Sequence, residues 1–291
     1  MNWKQTLFWS FSTAAIFYYF LLFGVFVFVG QEEMQLFIPE WWYIREFLFQ
    51  PGGFCAVAGQ WIIQYYRQPM SAVVLHTVLL VGCGFMVYRI LRCFSDKTYL
   101  LFLSLLPVLY LVKMSIHGEY LVDGTVGVVL MLLALSVSLK VRRAGSIAGY
   151  GIASTLFLCG LTGLLSVCYA FLYTLLALLR YKTSRQRLAA AACLIPALFI
   201  YLFSGWLGIP VPLSDGWMPE AYLEIQRLPH YYMYRVWTFF TLSIVGVALF
   251  ARFVPVIGEK SKWMDRVALV VCLITALVSI RFCLPEPWHA Q

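Results

Sequence analysis

Residues 144–179 carry no charged side chain, and residues 7–29 form another run without one. These uninterrupted apolar stretches constrain the fold more than any other feature, because a helix crossing a bilayer needs about 20 predominantly apolar residues. The rest of the composition agrees. With 62% hydrophobic and only 12% charged residues, and a mean hydropathy of +0.83, the chain has too little polar surface to coat a soluble domain of 291 residues. Lipid is the expected solvent. Backbone polar groups inside hydrocarbon must find partners within the chain, which leaves a helix bundle or a closed barrel. The runs are continuous rather than alternating, and that selects helices. The expected fold class is all-α, a single polytopic transmembrane bundle of about nine spans with further helices lying on its outer face.

Candidate spans fall near 7–29, 70–88, 98–112, 124–139, 144–159, 164–179, 188–203, 236–251 and 267–280. The first, preceded by Lys4, reads as an uncleaved signal anchor. Segment 144–179 is too long for one crossing and slightly short for two; Gly160, Leu161, Thr162 and Gly163 at its centre read as a turn, so a short helical hairpin is expected. Pro196 predicts a kink in the seventh span. Charge tests this layout. With the N-terminus inside, all Lys and Arg except Arg45, Arg67, Lys113, Arg227, Arg235 and Arg281 lie on the inner side, whereas a single crossing over 144–179 would divide the basic residues almost evenly. The expected location is therefore a bacterial inner (plasma) membrane, with the N-terminus cytoplasmic and the C-terminus outside. The formal charge of +8 then faces anionic lipid, and no nucleic-acid partner is needed. Eight cysteines without a C-x-x-C pair read as free core thiols and argue against a metal site.

Ten of the thirteen acids fall on the outer side, nine of them in three irregular segments, 31–69, 113–123 and 204–235. In the first, Pro39 opens a helix over 40–50 whose Trp41 and Trp42 suit the headgroup level, beside Arg45 and Glu46. Pro51, Gly52 and Gly53 end it. A second helix over 54–67 puts Gln60, Gln64 and Arg67 on one face, and a polar stripe on a lipid-compatible helix must face protein or a watery cleft. These three are candidate substrate-binding residues. Glu32 and Glu33, just past the first span, suit a general base or a divalent-cation ligand; the alternative is two solvated acids at a helix end. No other cofactor is expected.

In the second segment, His117, Glu119 and Asp123 lie between two short spans, where ionisable groups are costly and a histidine beside a carboxylate can move protons. The alternative is a hairpin turn with Asp123 as a helix N-cap. In the third, Pro219 sits well in the first turn of a short surface helix. Arg227, His230 and Arg235, set among tyrosines, suit a phosphate or merely anchor a helix end. His76 reads as a core residue.

One span, a long outer loop with two surface helices, short loops through the seventh span and a second outer loop with a surface helix: over roughly residues 1–235 this layout resembles the membrane module of the GT-C glycosyltransferases. The resemblance implies sugar transfer from a polyprenyl-phosphate donor at the non-cytoplasmic face. It implies that Glu32 or Glu33 takes the place of the first-loop catalytic acid, where the family usually has Asp. Glu119 or Asp123 would supply a second acid, and Arg227, His230 or Arg235 would approach the donor phosphate. More locally, PGGFCAVAGQWIIQYYRQP resembles the Pro-Gly-Gly loop of an uncharacterised group of bacterial inner-membrane proteins, of which this chain would be a short or truncated version. The expected partner is membrane lipid, polyprenyl phosphate under the first resemblance. Two alternatives stand beside it: a scaffold that docks a protein through its outer loop, and a transporter, which would call for midplane acids and a repeat that the sequence lacks.

Overall fold

The computed structural model describes residues 3–34, 37–116, 120–203, 228–253 and 260–281. Among them every regular element is helical. In chain order these are α1 (Trp3–Phe23), α2 (Val25–Met34), α3 (Trp41–Leu48), α4 (Gly53–Ile63), a 3-10 turn (Gln64–Arg67), α5 (Pro69–Leu91), α6 (Tyr99–Leu103), α7 (Leu105–Met114), α8 (Val122–Ser138), α9 (Ala144–Thr162), α10 (Leu165–Arg180), α11 (Ser184–Ala191), α12 (Leu194–Leu202), α13 (Leu228–Phe253) and α14 (Lys260–Arg281). Among the described residues, four helical segments, Gln5–Phe23, Pro69–Leu91, Ala144–Thr162 and Ser184–Leu202, are long and apolar enough to cross a membrane; Tyr99–Met114, Val122–Ser138, Leu165–Arg180 and Val236–Arg252 are shorter apolar helices.

Apolar side chains occupy both the interior and the outside. Phe11, Leu22, Phe26, Phe157 and Ile195 are large, hydrophobic and exposed, while Ile16, Phe20, Phe28 and Leu80 are buried. A helix that is hydrophobic on every face belongs in lipid. The first run continues past its expected end. Gly24 donates to Phe20 O and Phe28 donates to Gly24 O, so α2 prolongs α1 through Glu32 and Glu33.

The expected hairpin is two helices: α9 and α10 pack together and turn at Gly163, whose φ is +61°. The kink expected from Pro196 is a break at Ala192 and Cys193 between α11 and α12. The break falls where Pro196, which has no N–H, cannot donate to Ala192 O; Ile195 N donates to it instead, at 3.2 Å, in a tighter turn.

Direct contacts define two ends of the bundle. At one, Tyr181 donates to Val141 O and Gln186 donates to Arg142 O, both at 2.6 Å, which joins the loops after α8 and α10. Those loops carry Lys140, Arg142, Arg143 and Lys182, and the first turn of α11 adds Arg185. At the other, Gln31, Gly52 and Gly59 contact Tyr120, the α9–α10 turn and Asp123, respectively. Glu32, Glu33, Glu40 and Glu46 belong to this second end.

Candidate functional site

Segment 31–69 is folded onto the acid-bearing end. Its Pro51-Gly52-Gly53 turn explains itself step by step. Pro51 closes the chain off after α3. Gly52 takes φ +84°, a left-handed conformation that glycine adopts without a Cβ penalty, and donates to Gly160 O at 3.1 Å. A Cβ on Gly53 would overlap the Phe47 carbonyl oxygen. The two positive-φ glycines, Gly52 and Gly163, therefore meet, and the first connection is docked on the α9–α10 tip.

From that turn α4 runs directly against α8 and α9. Cys55, Gly59 and Ile63, spaced by four, form its buried ridge. At Gly59 the helices are so close that an added Cβ would lie 2.7 Å from Asp123 Cβ and 2.9 Å from the Asp123 backbone. Small residues allow such an approach where no water-driven force joins helices. The expected helix over 54–67 ends instead at Ile63, and its last turn tightens to 3-10 geometry over Gln64–Arg67.

The tightening swings Tyr66 inward. Its hydroxyl lies 2.6 Å from His76 Nε2, and the imidazole stacks on Phe28 at 4.2 Å with an interplanar angle of 8°. Both side chains are almost fully buried. Burial pushes the Tyr66 phenol above its usual range, so it stays protonated. Whichever of the two donates, His76 Nδ1 is left without a partner. One turn beyond Phe28, Gln31 is 1% exposed; its Nε2 donates to Tyr120 O at 3.0 Å while its Oε1 has no partner. Tyr120 is buried as well, its hydroxyl 3.2 Å from Thr125 Oγ1, and burial raises that phenol too. The arrangement is a buried set of hydrogen-bonded polar side chains at the acid-bearing end, suited to fixing the positions of α2, the 3-10 turn and the start of α8.

The sequence candidates divide accordingly. Glu32 is half-buried and Glu33 exposed, both within α2 rather than in a loop. Gln60 Oε1 accepts from Tyr43 at 3.0 Å, and Gln64 Nε2 donates to Phe37 O at 3.1 Å, so the polar stripe of α4 binds residues 37–43 of its own chain; Arg67 is exposed. Asp123 is half-buried in the first turn of α8, its Oδ1 accepting from Gly124 N at 2.7 Å, and the helix N-cap is Leu121. His117, Glu119 and Arg227 lie outside the described residues, as does the surface helix expected after Pro219; His230 and Arg235 belong to α13, with only their backbones described. Glu32 is thus brought to the same end as Asp123. Gln31, Tyr66 and Tyr120 were not anticipated. Gln31 had a signal: with the helix carried past residue 29, it falls on the buried face of Ile16, Phe20 and Phe28.

No group of three or more His, Cys, Asp or Glu among the described residues is placed to hold a metal ion. A chain whose described residues form only helices, several of them apolar and of membrane length, with one face of segment 37–69 packed into the bundle, has the makings of a multispan membrane protein. The chain belongs to the family of unknown function DUF6057, which it matches over residues 1–284. The expectation of an uncharacterised family is met in that form; the match itself supplies neither a bacterial source nor a tie to GT-C transferases. No curated protein and no solved structure matches the chain.

Proposed function

We propose that the protein is a multispan inner-membrane protein that binds a polyprenyl-phosphate-linked sugar at the outward, acid-bearing end of a nine-span bundle, in the manner of a GT-C transferase. One observation carries this reading. Gln31 ties the end of α2 to Tyr120, and Glu32, a half-buried acid, is the next residue along that helix. An acid held in that setting is placed to take a proton from an acceptor hydroxyl or to ligate a cation. Glu33, exposed one position on, is the second choice. Arg227, His230 and Arg235 are the proposed phosphate-binding residues. Gln60 and Gln64 are better assigned to holding residues 37–43 than to the substrate, because their side chains already bond there. The test is sugar transfer from a polyprenyl-phosphate donor in membranes containing Glu32→Ala with Glu33→Ala. Loss of transfer supports the role, and undiminished transfer rejects it.

A non-catalytic scaffold is the second reading, favoured by α3. That helix buries none of its residues, and it holds Trp41 and Trp42 outward. A face of this kind suits a membrane surface or a partner helix. Co-purification of one stoichiometric protein, lost on Trp41→Ala with Trp42→Ala, would favour the scaffold.

A further inference from the structure

At the basic end, α5 and α8 finish side by side and enclose a cleft of about 380 Å³. Its walls are apolar, from Phe85, Met86, Ile90 and Leu133, and its rim carries Arg89 and Lys140. No carboxylate lines it. The volume lies within the roughly 300–1,000 Å³ typical of ligand pockets. We propose that this cleft is a binding site for an anionic phospholipid, with the headgroup phosphate between Arg89 and Lys140 and the start of an acyl chain along Phe85 and Leu133. Occupancy of this cleft does not depend on any transferase activity.

Three observations point to this occupant. The first is charge. Arg92, one turn from Arg89, is bonded to Asp96 at 3.1 Å, whereas neither Arg89 nor Lys140 has a carboxylate partner among the described residues. Arg89 instead lies with its guanidinium 5.9 Å above the Phe85 ring, an arrangement that steadies its planar fork while leaving its donors free for phosphate oxygens. The second is continuity with the lipid-facing surface. Phe85, Leu133 and the neighbouring Val137 are large apolar side chains partly exposed on the outside of the helices, so the cleft opens onto hydrocarbon rather than onto water alone. A soluble anion would leave those walls uncovered. The third is setting. The loop that continues from Lys140 carries Arg142 and Arg143, and the segment bonded to it carries Lys182 and Arg185, which raises the concentration of anionic headgroups at this end. Basic pockets between helix ends are where such headgroups are retained. Ser136 Oγ already donates to Leu133 O at 2.8 Å, so it can only accept there and leaves recognition to the two cations.

The full chain, reconstituted in vesicles of phosphatidylcholine with or without phosphatidylglycerol, provides the test. Cys93 lines the cleft and is exposed, which makes its alkylation, followed by peptide mass mapping, a direct reading of occupancy. Phosphatidylglycerol is expected to slow Cys93 alkylation in the unaltered protein, and Arg89→Gln with Lys140→Gln to weaken phosphatidylglycerol retention by roughly thirtyfold, about fivefold for each basic residue lost. A control pair, Arg142→Gln with Arg143→Gln, removes equal charge outside the cleft and is expected to leave Cys93 protected. Equal alkylation rates in the two vesicle types would overturn the proposal whether or not the variants fold. So would equal loss of protection in the control pair, which would mean a diffuse surface field. Protection by inorganic phosphate in pure phosphatidylcholine would reject the lipid as ligand.

Discussion

The two ends of this bundle carry opposite charge and are finished in opposite ways. At the acid-bearing end the chain closes on itself. The α3–α4 turn sits on the α9–α10 turn, Gly59 lies against Asp123, and Gln31 bonds to Tyr120. At the basic end α5 and α8 finish side by side around a cleft whose cations, Arg89 and Lys140, have no carboxylate partner among the described residues. The acid end is built from backbone proximity and short polar side chains, and its tolerance for added atoms is low. The basic end is built from long flexible cations, and its demand on geometry is slight. Stability should therefore be sensitive at the first end and forgiving at the second.

The sharpest way to break that contrast is at the glycines. Gly59→Ala places a methyl group 2.7 Å from Asp123 Cβ and is expected to destabilise the detergent-solubilised protein by about 1–3 kcal/mol, read as a fall in thermal midpoint. Gly52→Ala forces a left-handed residue to carry a Cβ and is expected to cost about 1–2 kcal/mol. Next comes Tyr66→Phe. It removes the partner of His76 Nε2 inside the core and is expected to cost about 1–3 kcal/mol, with His76→Phe in the same background costing less than either change alone implies. Gln31→Leu should lie near neutrality, within about 1 kcal/mol, since the lost bond to Tyr120 O is offset by removal of the unpartnered Oε1. At the basic end, Asp96→Asn breaks an exposed ion pair and is expected to change stability by no more than about 0.5 kcal/mol. A Gly59→Ala protein as stable as the unaltered chain, or an Asp96→Asn protein much weaker, would reverse the comparison.

Local chemistry made much of this readable in advance. Gly163 between two uncharged runs marked the hairpin, Pro196 marked the break at Ala192 and Cys193, and Pro51-Gly52-Gly53 marked the turn after α3. The stripe of Gln60 and Gln64 announced that α4 must face something polar. Its partners were harder to see, because Phe37 O precedes α3 and the Tyr43 hydroxyl is on α3, and a bond such as that of Gln64 to the Phe37 backbone leaves no sequence signature. The approach of α4 to α8 was hidden for a related reason. Cys55, Gly59 and, on the facing helix, Gly127 are small residues that look unremarkable singly and matter only as a pair of ridges. Glu32 and Glu33 read as lying just past the first span because acids end an apolar run, yet a helix emerging into headgroups has no reason to stop there.

Opposite charge and opposite construction make sense if the two ends lie on opposite faces of a membrane. Cysteines introduced at Glu40 and at Arg142, probed in intact cells with a membrane-impermeant maleimide and located by peptide mapping, test this directly. Labelling at position 40 in intact cells, with position 142 reached only after permeabilisation, is the predicted result. Labelling of both positions from the same face would contradict it.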